Sequence, residues 1–190
     1  MSEHACFFGY GSLVNRDTHS FTGAQPARLD GWRRVWRQTG LRHAAYLTVI
    51  RDDTCRIDGL VAPVPQNDWA ALDRREGAYM RLNATHQIRH ALPQNPQIAV
   101  YSIPETRHVA PDEEGPILLS YLDVVVQGYL REFGEAGAAR FFDTTSGWDI
   151  PVLNDRNAPR YPRHCQLDAT ETGFVDDQLS TRPIRLVEPA

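Results

Sequence analysis

The chain has 190 residues, 42% of them hydrophobic and 23% charged, which suffices for one globular domain with a short appendage and excludes two large domains. Its net charge of -4 supplies no basic field for a phosphate backbone, which argues against nucleic-acid binding. All 20 basic residues are arginine, so a phosphate-loop lysine, an internal Schiff base and a Ser-Lys hydrolase are excluded.

From the N-terminus, Met1 to Ala5 precede a short apolar run broken by Gly9, with neither the basic start nor the apolar length of an export signal. No stretch approaches the roughly 20 apolar residues of a membrane helix, so no membrane partner is expected. The first hundred or so residues read as short apolar runs between turn-formers, the pattern of a mixed or barrel-like sheet. Expected strands are Cys6 to Tyr10, Arg33 to Gln38, Ala44 to Ile50, Ile57 to Val64, Met80 to Arg89 and Ile98 to Ile103. Asp30-Gly31, Arg51-Asp52-Asp53 and Pro93 to Pro96 are expected turns or loops.

One helix interrupts the strands, from Asn67 to Glu76, with Asn67 or Asp68 as cap and Gly77 past its end. At about 100° per residue, Trp69, Leu72 and Glu76 fall within roughly 60° of one another, so the glutamate shares the face that the other two bury. A carboxylate there is either paired with an arginine such as Arg33 or Arg81 or raised in pKa. Apolar positions at Leu118, Tyr121, Leu122, Val125, Tyr129 and Phe133 then predict an amphipathic helix over Ile117 to Phe133, stopped at Gly134, with a shorter piece over Glu135 to Phe142. From Thr144 onward Pro, Asn, Asp and Gly accumulate, which reads as a wrapping tail with little regular structure. The expected organisation is a domain over 1–143, with barrel about 6–103 and helices about 117–142, and an irregular extension over 144–190.

Cys6, Cys55 and Cys165 are too few and scattered for a disulfide framework and form no Cys-x-x-Cys pair, so a reducing, cytoplasmic setting is expected. Cys6 reads as an inert core thiol. His86 and His90 lack a third ligand at metal-site spacing, and no metal is expected. The strongest local signal is Phe7-Phe8-Gly9-Tyr10-Gly11-Ser12-Leu13, an apolar strand ending in a glycine-flanked polar turn. Its consecutive N–H groups are suited to an anion nest or oxyanion hole. Val14 stands where a dinucleotide fingerprint needs glycine and where a nucleophile elbow would close.

Tyr10-Gly11-Ser12-Leu13, followed by a single glutamate in Leu72-Asp73-Arg74-Arg75-Glu76, resembles the γ-glutamylcyclotransferase-like superfamily, which includes the ChaC and AIG2-like proteins. Gly31-Trp32-Arg33-Arg34-Val35-Trp36 resembles a stretch of ChaC members, and Tyr121 with Gly128 resembles a pattern in enzymes of free γ-glutamyl amino acids. The resemblance implies an α+β fold, a small mixed β-barrel with flanking helices, and a cofactor-free cyclisation of a small γ-glutamyl substrate to 5-oxoproline with release of an amine or amino acid. By the same resemblance the backbone of Tyr10, Gly11, Ser12 and Leu13 holds the γ-glutamyl group, Glu76 is the acid/base, and Tyr121 is a pocket residue. The chain lacks the His-Arg-Gly and Pro-Gly-Arg stretches of glutathione-specific members, and has Leu13 where the free-γ-glutamyl-amino-acid enzymes usually carry Asn, so the resemblance leaves the substrate open. The alternative is a non-catalytic binding or interaction protein on the same fold, and a γ-glutamyl hydrolase is a more distant one. Oligomeric state has no signature in the sequence.

Overall fold

The computed structural model describes residues 5–93, 95–111 and 114–189. Strand β1 (Ala5–Gly9) is buried along its whole length. Neighbouring residues of a strand face opposite ways, so the burial of both Phe7 and Phe8 means that both faces of β1 are covered. That is why its sequence is continuously apolar. β1 pairs antiparallel with β3 (Tyr46–Pro63) and parallel with β6 (Gln97–Ser102).

The frame of the sheet is the long antiparallel pair of β2 (Gln25–Arg37) and β3, in register from Gln25 opposite Val61 to Arg37 opposite Tyr46. Two expected turns lie inside these strands. Asp30-Gly31 is a bulge, where Gly31 takes a φ of +78° and the register shifts between Asp30 and Trp32. Arg51 to Asp53 lie inside β3, where Arg51 pairs with Trp32 and Asp52 and Asp53 belong to the register irregularity opposite Gly31, with Asp52 held by Arg33 at 2.7 Å and by the Thr54 hydroxyl at 2.6 Å. The polar run therefore marks a solvated stretch of strand, not a reversal. The expected loop Pro93 to Pro96 falls partly on residue 94, outside the described residues.

After β3 come α1 (Trp69–Arg75), β4 (Met80–Asn83) and β5 (Ile88–His90). The strand expected over Met80 to Arg89 is thus two strands separated by a 3-10 turn at Thr85–Gln87. The large sheet has the order β4-β6-β1-β3-β2-β5, and it does not close into the expected barrel. Its end strands β4 and β5 are consecutive in the chain and pair with β6 and β2 respectively. The link 84–87 crosses between the two edges covalently, and a continuous ladder is replaced by local bonds such as Ile98 N–H to the Thr85 hydroxyl, 2.9 Å.

β7 (Ile117–Leu118) leads into α2 (Leu119–Asp143), whose path breaks at Gly134, φ +66°. The stop expected there is a kink between two helical pieces. The tail departs from expectation. It carries β8 (Thr145–Ser146), paired with β2, then β9 (Val152–Leu153), α3 (Ala169–Ser180) and β10 (Leu186–Val187). β7, β9 and β10 form a small parallel sheet in the order β10-β9-β7. α3 is set by a reciprocal capping box, in which the Asp168 side chain accepts from Glu171 N–H and the Glu171 side chain from Asp168 N–H. Val175 and Leu179, one turn apart, bury its inner face.

The tail explains why α2 is buried beyond its apolar stripe. Asp123 receives a two-pronged bond from Arg156, both contacts 2.8 Å, and Gln127 donates to Glu171 at 2.7 Å. These polar side chains are buried because the tail brings their partners to them.

Candidate active site

α1 is short and well delimited: Asp68 accepts from Ala71 N–H at 2.9 Å to start it, and Glu76 is its C-terminal cap. Leu72 is buried, Trp69 is partly buried against the core, and the Glu76 side chain is about 21% exposed. The helical spacing thus holds to the last residue. Glu76 borders a cavity of about 330 Å³ that the strand-end turn from Gly9 to Leu13 also lines. Tyr10, Gly11, Ser12, Leu13, Glu76 and Tyr121, the residues singled out from sequence, all line this one cavity.

The turn is fixed from behind by its carbonyls. Tyr10 C=O lies 3.0 Å from the Tyr129 hydroxyl, Gly11 C=O accepts from Val14 N–H at 2.9 Å, and Ser12 C=O accepts from Asn15 N–H and the Thr18 hydroxyl. His19 completes the set. Its Nδ1 accepts from Phe21 N–H at 3.1 Å, so its Nε2 carries the proton given to Leu13 C=O at 3.0 Å. Burial lowers the His19 pKa, consistent with this neutral tautomer. Asn15, absent from the sequence reading, bolts the turn to α2 by donating to Val124 C=O and to the Gln127 side chain, both 2.9 Å.

Gly11 is needed for close approach. A Cβ built there would stand 2.7 Å from the Tyr121 hydroxyl, which lies against the Gly11–Ser12 peptide. The Tyr121 ring is held edge-on by Tyr161, centroids 4.8 Å apart, and by Trp36 at 5.8 Å.

Glu76 has its nearest cation in Arg75, whose Nε stands 3.5 Å from Oε1. Arg33 and Arg81, the partners suggested by sequence, are engaged instead by Asp52 and Asp73. Burial raises the Glu76 pKa, and the opposing pull of Arg75 and Arg163 does not cancel that rise. Burial likewise raises the Cys6 thiol, which sits in β1 in keeping with an inert core residue. His86 and His90 belong to the 3-10 turn and to β5, and among the described residues no cluster of three or more His, Cys, Asp or Glu has metal-site geometry.

Sequence reasoning missed several lining residues. Tyr79 donates to Leu47 C=O at 2.9 Å, Tyr101 donates to Asp73 at 2.6 Å, and Arg42 lies flat over Tyr46 with its guanidinium carbon 3.6 Å from the ring centroid. Arg75, next to Glu76 in the chain, also lines the cavity, as do Tyr161 and Arg163 from the tail. Side chains scattered from residue 42 to residue 163 share no local spacing that could have announced them.

The family follows from comparison with known proteins. The profile of the family described as "Gamma-glutamyl cyclotransferase, AIG2-like" matches residues 7–139, and the chain belongs to that family. No curated protein matches the chain. Among solved structures, one titled "Gamma-glutamyl cyclotransferase" superposes with a TM-score of 0.58 at 15% identity, covering 92% of this chain and 99% of the other. An uncharacterized Homo sapiens protein superposes at 0.56 with 14% identity over 92% and 99% of the two chains. The Bacillus subtilis protein YkqA superposes at 0.55 with 15% identity, over 76% of this chain and 56% of its own. These structural likenesses establish a shared fold. No helix among the described residues is long and apolar enough to cross a membrane.

Proposed function

We propose that the protein is a γ-glutamylcyclotransferase that converts a small γ-glutamyl compound to 5-oxoproline and a free amine or amino acid. The observation that carries this reading is the convergence of Glu76 with the Tyr10–Leu13 turn on one cavity. Family membership supports it.

The reaction forms one C–N bond and breaks another within the same molecule. The substrate's α-ammonium first gives a proton to Glu76, and the freed amine attacks the γ-carbonyl carbon. The tetrahedral intermediate's oxyanion faces the Tyr10–Leu13 turn, and collapse breaks the original amide while Glu76 returns that proton to the departing nitrogen; the regenerated Glu76 carboxylate then takes the second proton from the ring nitrogen, which becomes the lactam N–H, and passes it to the released amine, which leaves as an ammonium. Atoms and electrons balance without an oxidant or added water. A carboxyl group whose pKa is raised by burial is suited to both transfers. The carbonyls of Tyr10 to Leu13 already have protein partners, so in this reading the oxyanion is met by N–H groups of the turn. Because attack is intramolecular, holding the chain in a near-attack geometry supplies much of the acceleration.

Incubation with γ-glutamyl amino acids, γ-glutamylamines and glutathione, followed by assay of 5-oxoproline, tests the reading. Expected is 5-oxoproline from at least one class, abolished or strongly reduced in Glu76→Gln. Release of glutamate in place of 5-oxoproline means a hydrolase, and binding without any product means a non-catalytic relative.

A further inference from the structure

The cavity's charge is lopsided. Its lining contains three guanidinium groups, Arg42, Arg75 and Arg163, and one carboxylate, Glu76. Among the described residues neither Arg42 nor Arg163 forms an ion pair; Arg42 lies over the Tyr46 ring and donates to the carbonyls of Ala44 and Ala45 at 3.3 and 2.8 Å, and the Arg163 guanidinium carbon stands 5.9 Å from the Tyr161 ring centroid. Burial lowers the Arg75 pKa and the charge of Arg163 adds to that lowering, which places the two guanidinium groups near each other. Like charges brought together at a concave surface call for an anion between them.

The tail segment bearing Arg163 is built in place. Asp155, almost fully buried, accepts from Ser120 N–H at 2.7 Å, from the Ser120 hydroxyl at 2.6 Å and from Arg160 N–H at 2.8 Å. The Ser120 hydroxyl in turn accepts from Tyr161 N–H at 3.2 Å. Tyr161 is more than nine-tenths buried against the cavity, and its hydroxyl has no hydrogen-bond partner among the described residues. An anchored segment that delivers a cation to the cavity has the form of a recognition element.

We propose that Arg163, together with Arg75 and Arg42, forms a carboxylate-recognition rim that selects γ-glutamyl compounds whose leaving amine carries its own carboxylate, namely γ-glutamyl amino acids and peptides, over γ-glutamylamines. The proposal rests on the cyclotransferase reading and names the substrate class for it. A γ-glutamyl amino acid brings two carboxylates and one ammonium, whereas a γ-glutamylamine built on a neutral amine brings one of each. With Glu76 receiving the ammonium proton, the dicarboxylate is the better match to three cations. Guanidinium groups suit the task because their planar fork accommodates both carboxylate oxygens.

γ-Glutamylalanine and γ-glutamylalaninamide differ at the leaving-group carboxylate alone, so they are the test pair. Calorimetric affinities for both are measured on Glu76→Gln in the otherwise wild-type background and with Arg163→Gln or Arg42→Gln added, alongside 5-oxoproline kinetics of the wild type. The acid is expected to bind about 10- to 100-fold more tightly than the amide, the range of a charged hydrogen bond. Arg163→Gln is expected to remove most of that ratio by weakening the acid while sparing the amide. Equal affinity for the two ligands, or binding of neither, overturns the rim. A ratio unchanged in both arginine variants also overturns it. Retained discrimination without 5-oxoproline from either compound keeps the rim and removes the cyclotransferase reading. Should Glu76→Gln still turn over, the wild-type kcat/KM ratio supplies the discrimination.

Discussion

The Arg34 guanidinium donates to the Tyr129 hydroxyl at 2.8 Å, and that hydroxyl stands 2.6 Å from the Asp58 carbonyl and 3.0 Å from the Tyr10 carbonyl. A buried cation in β2 is thereby connected to the turn that lines the cavity. Arg34 is 1% exposed and, among the described residues, makes no ion pair, the Asp58 side chain being held by Arg28 and Arg140. Neutral oxygens of Asp58, Thr144 and Thr145 and the faces of Tyr129 and Phe141 surround it.

The first prediction follows from this relay. Tyr129→Phe leaves the Asp58 carbonyl and one Arg34 N–H with a partner fewer inside the core, which costs about 1–3 kcal/mol. Urea unfolding should show a lower midpoint with an unchanged slope. A midpoint equal to wild type would mean that the hydroxyl holds nothing in place.

Much of this arrangement was legible in the sequence because it rests on local pattern. Phe7-Phe8-Gly9 announced an apolar strand ending in a turn, and the spacing of Trp69, Leu72 and Glu76 announced which way the glutamate faces. The bulge at Gly31 and the strand through Arg51 to Asp53 were not legible, because turn-forming residues were overruled by the pairing of the flanking stretches of β2 and β3. The open sheet was hidden because closure depends on whether β4 and β5 pair, which no short-range signal specifies. The tail misled for a related reason. Its prolines fall mostly between elements, while α3 is announced by Asp168 and Glu171, a capping box lying outside the proline-rich stretch.

The pH dependence of activity should report Glu76. Its pKa is raised by burial, so kcat/KM is expected to fall on the acid side at a pH above the ~4.3 of a free glutamate. Glu76→Gln should lose about 10²- to 10⁴-fold in turnover and lose this limb. An acid limb that persists unchanged in the variant assigns it to another group.

Stability should move in the opposite direction to activity at that residue. A folded-state pKa raised above the unfolded value means that the favourable contribution is complete below the unfolded pKa and is lost as pH rises through the folded one. At neutral pH the wild type therefore carries the cost of a half-buried carboxylate, and Glu76→Gln removes it. Melting temperatures near pH 7 should be equal or higher for the variant, and the difference should shrink towards pH 4. A variant clearly less stable at pH 7 would show the Arg75 contact to outweigh burial.

Gly128 on α2 faces the back of the Tyr10–Leu13 turn with no room for a side chain. A Cβ there would lie 2.6 Å from Asn15 N and 2.8 Å from both Asn15 Cα and Val14 C, all backbone atoms that cannot rotate away. Gly128→Ala is expected to cost about 1–3 kcal/mol by forcing the turn off the helix, and to raise KM because the turn borders the cavity. Normal KM together with full stability would show that the helix shifts in place of the turn.

Gly11 offers the sharpest test of how the two sequence-distant halves of the site fit together. Its Cβ would meet the Tyr121 hydroxyl at 2.7 Å, while the next neighbour, Leu47 Cδ2, stands at an ordinary 3.5 Å. Gly11→Ala should therefore be destabilised through that one oxygen, by about 1–3 kcal/mol. Tyr121→Phe deletes the oxygen, so the double variant should be more stable than the sum of the single effects predicts, with a coupling of about 0.5–3 kcal/mol in the restoring direction. Stability and activity need not recover together. If the hydroxyl also orients the substrate, the double variant regains its unfolding midpoint without regaining kcat/KM. Additive effects of the two substitutions would mean that Tyr121 and the turn do not touch in solution, and would separate the helix from the wall of the cavity.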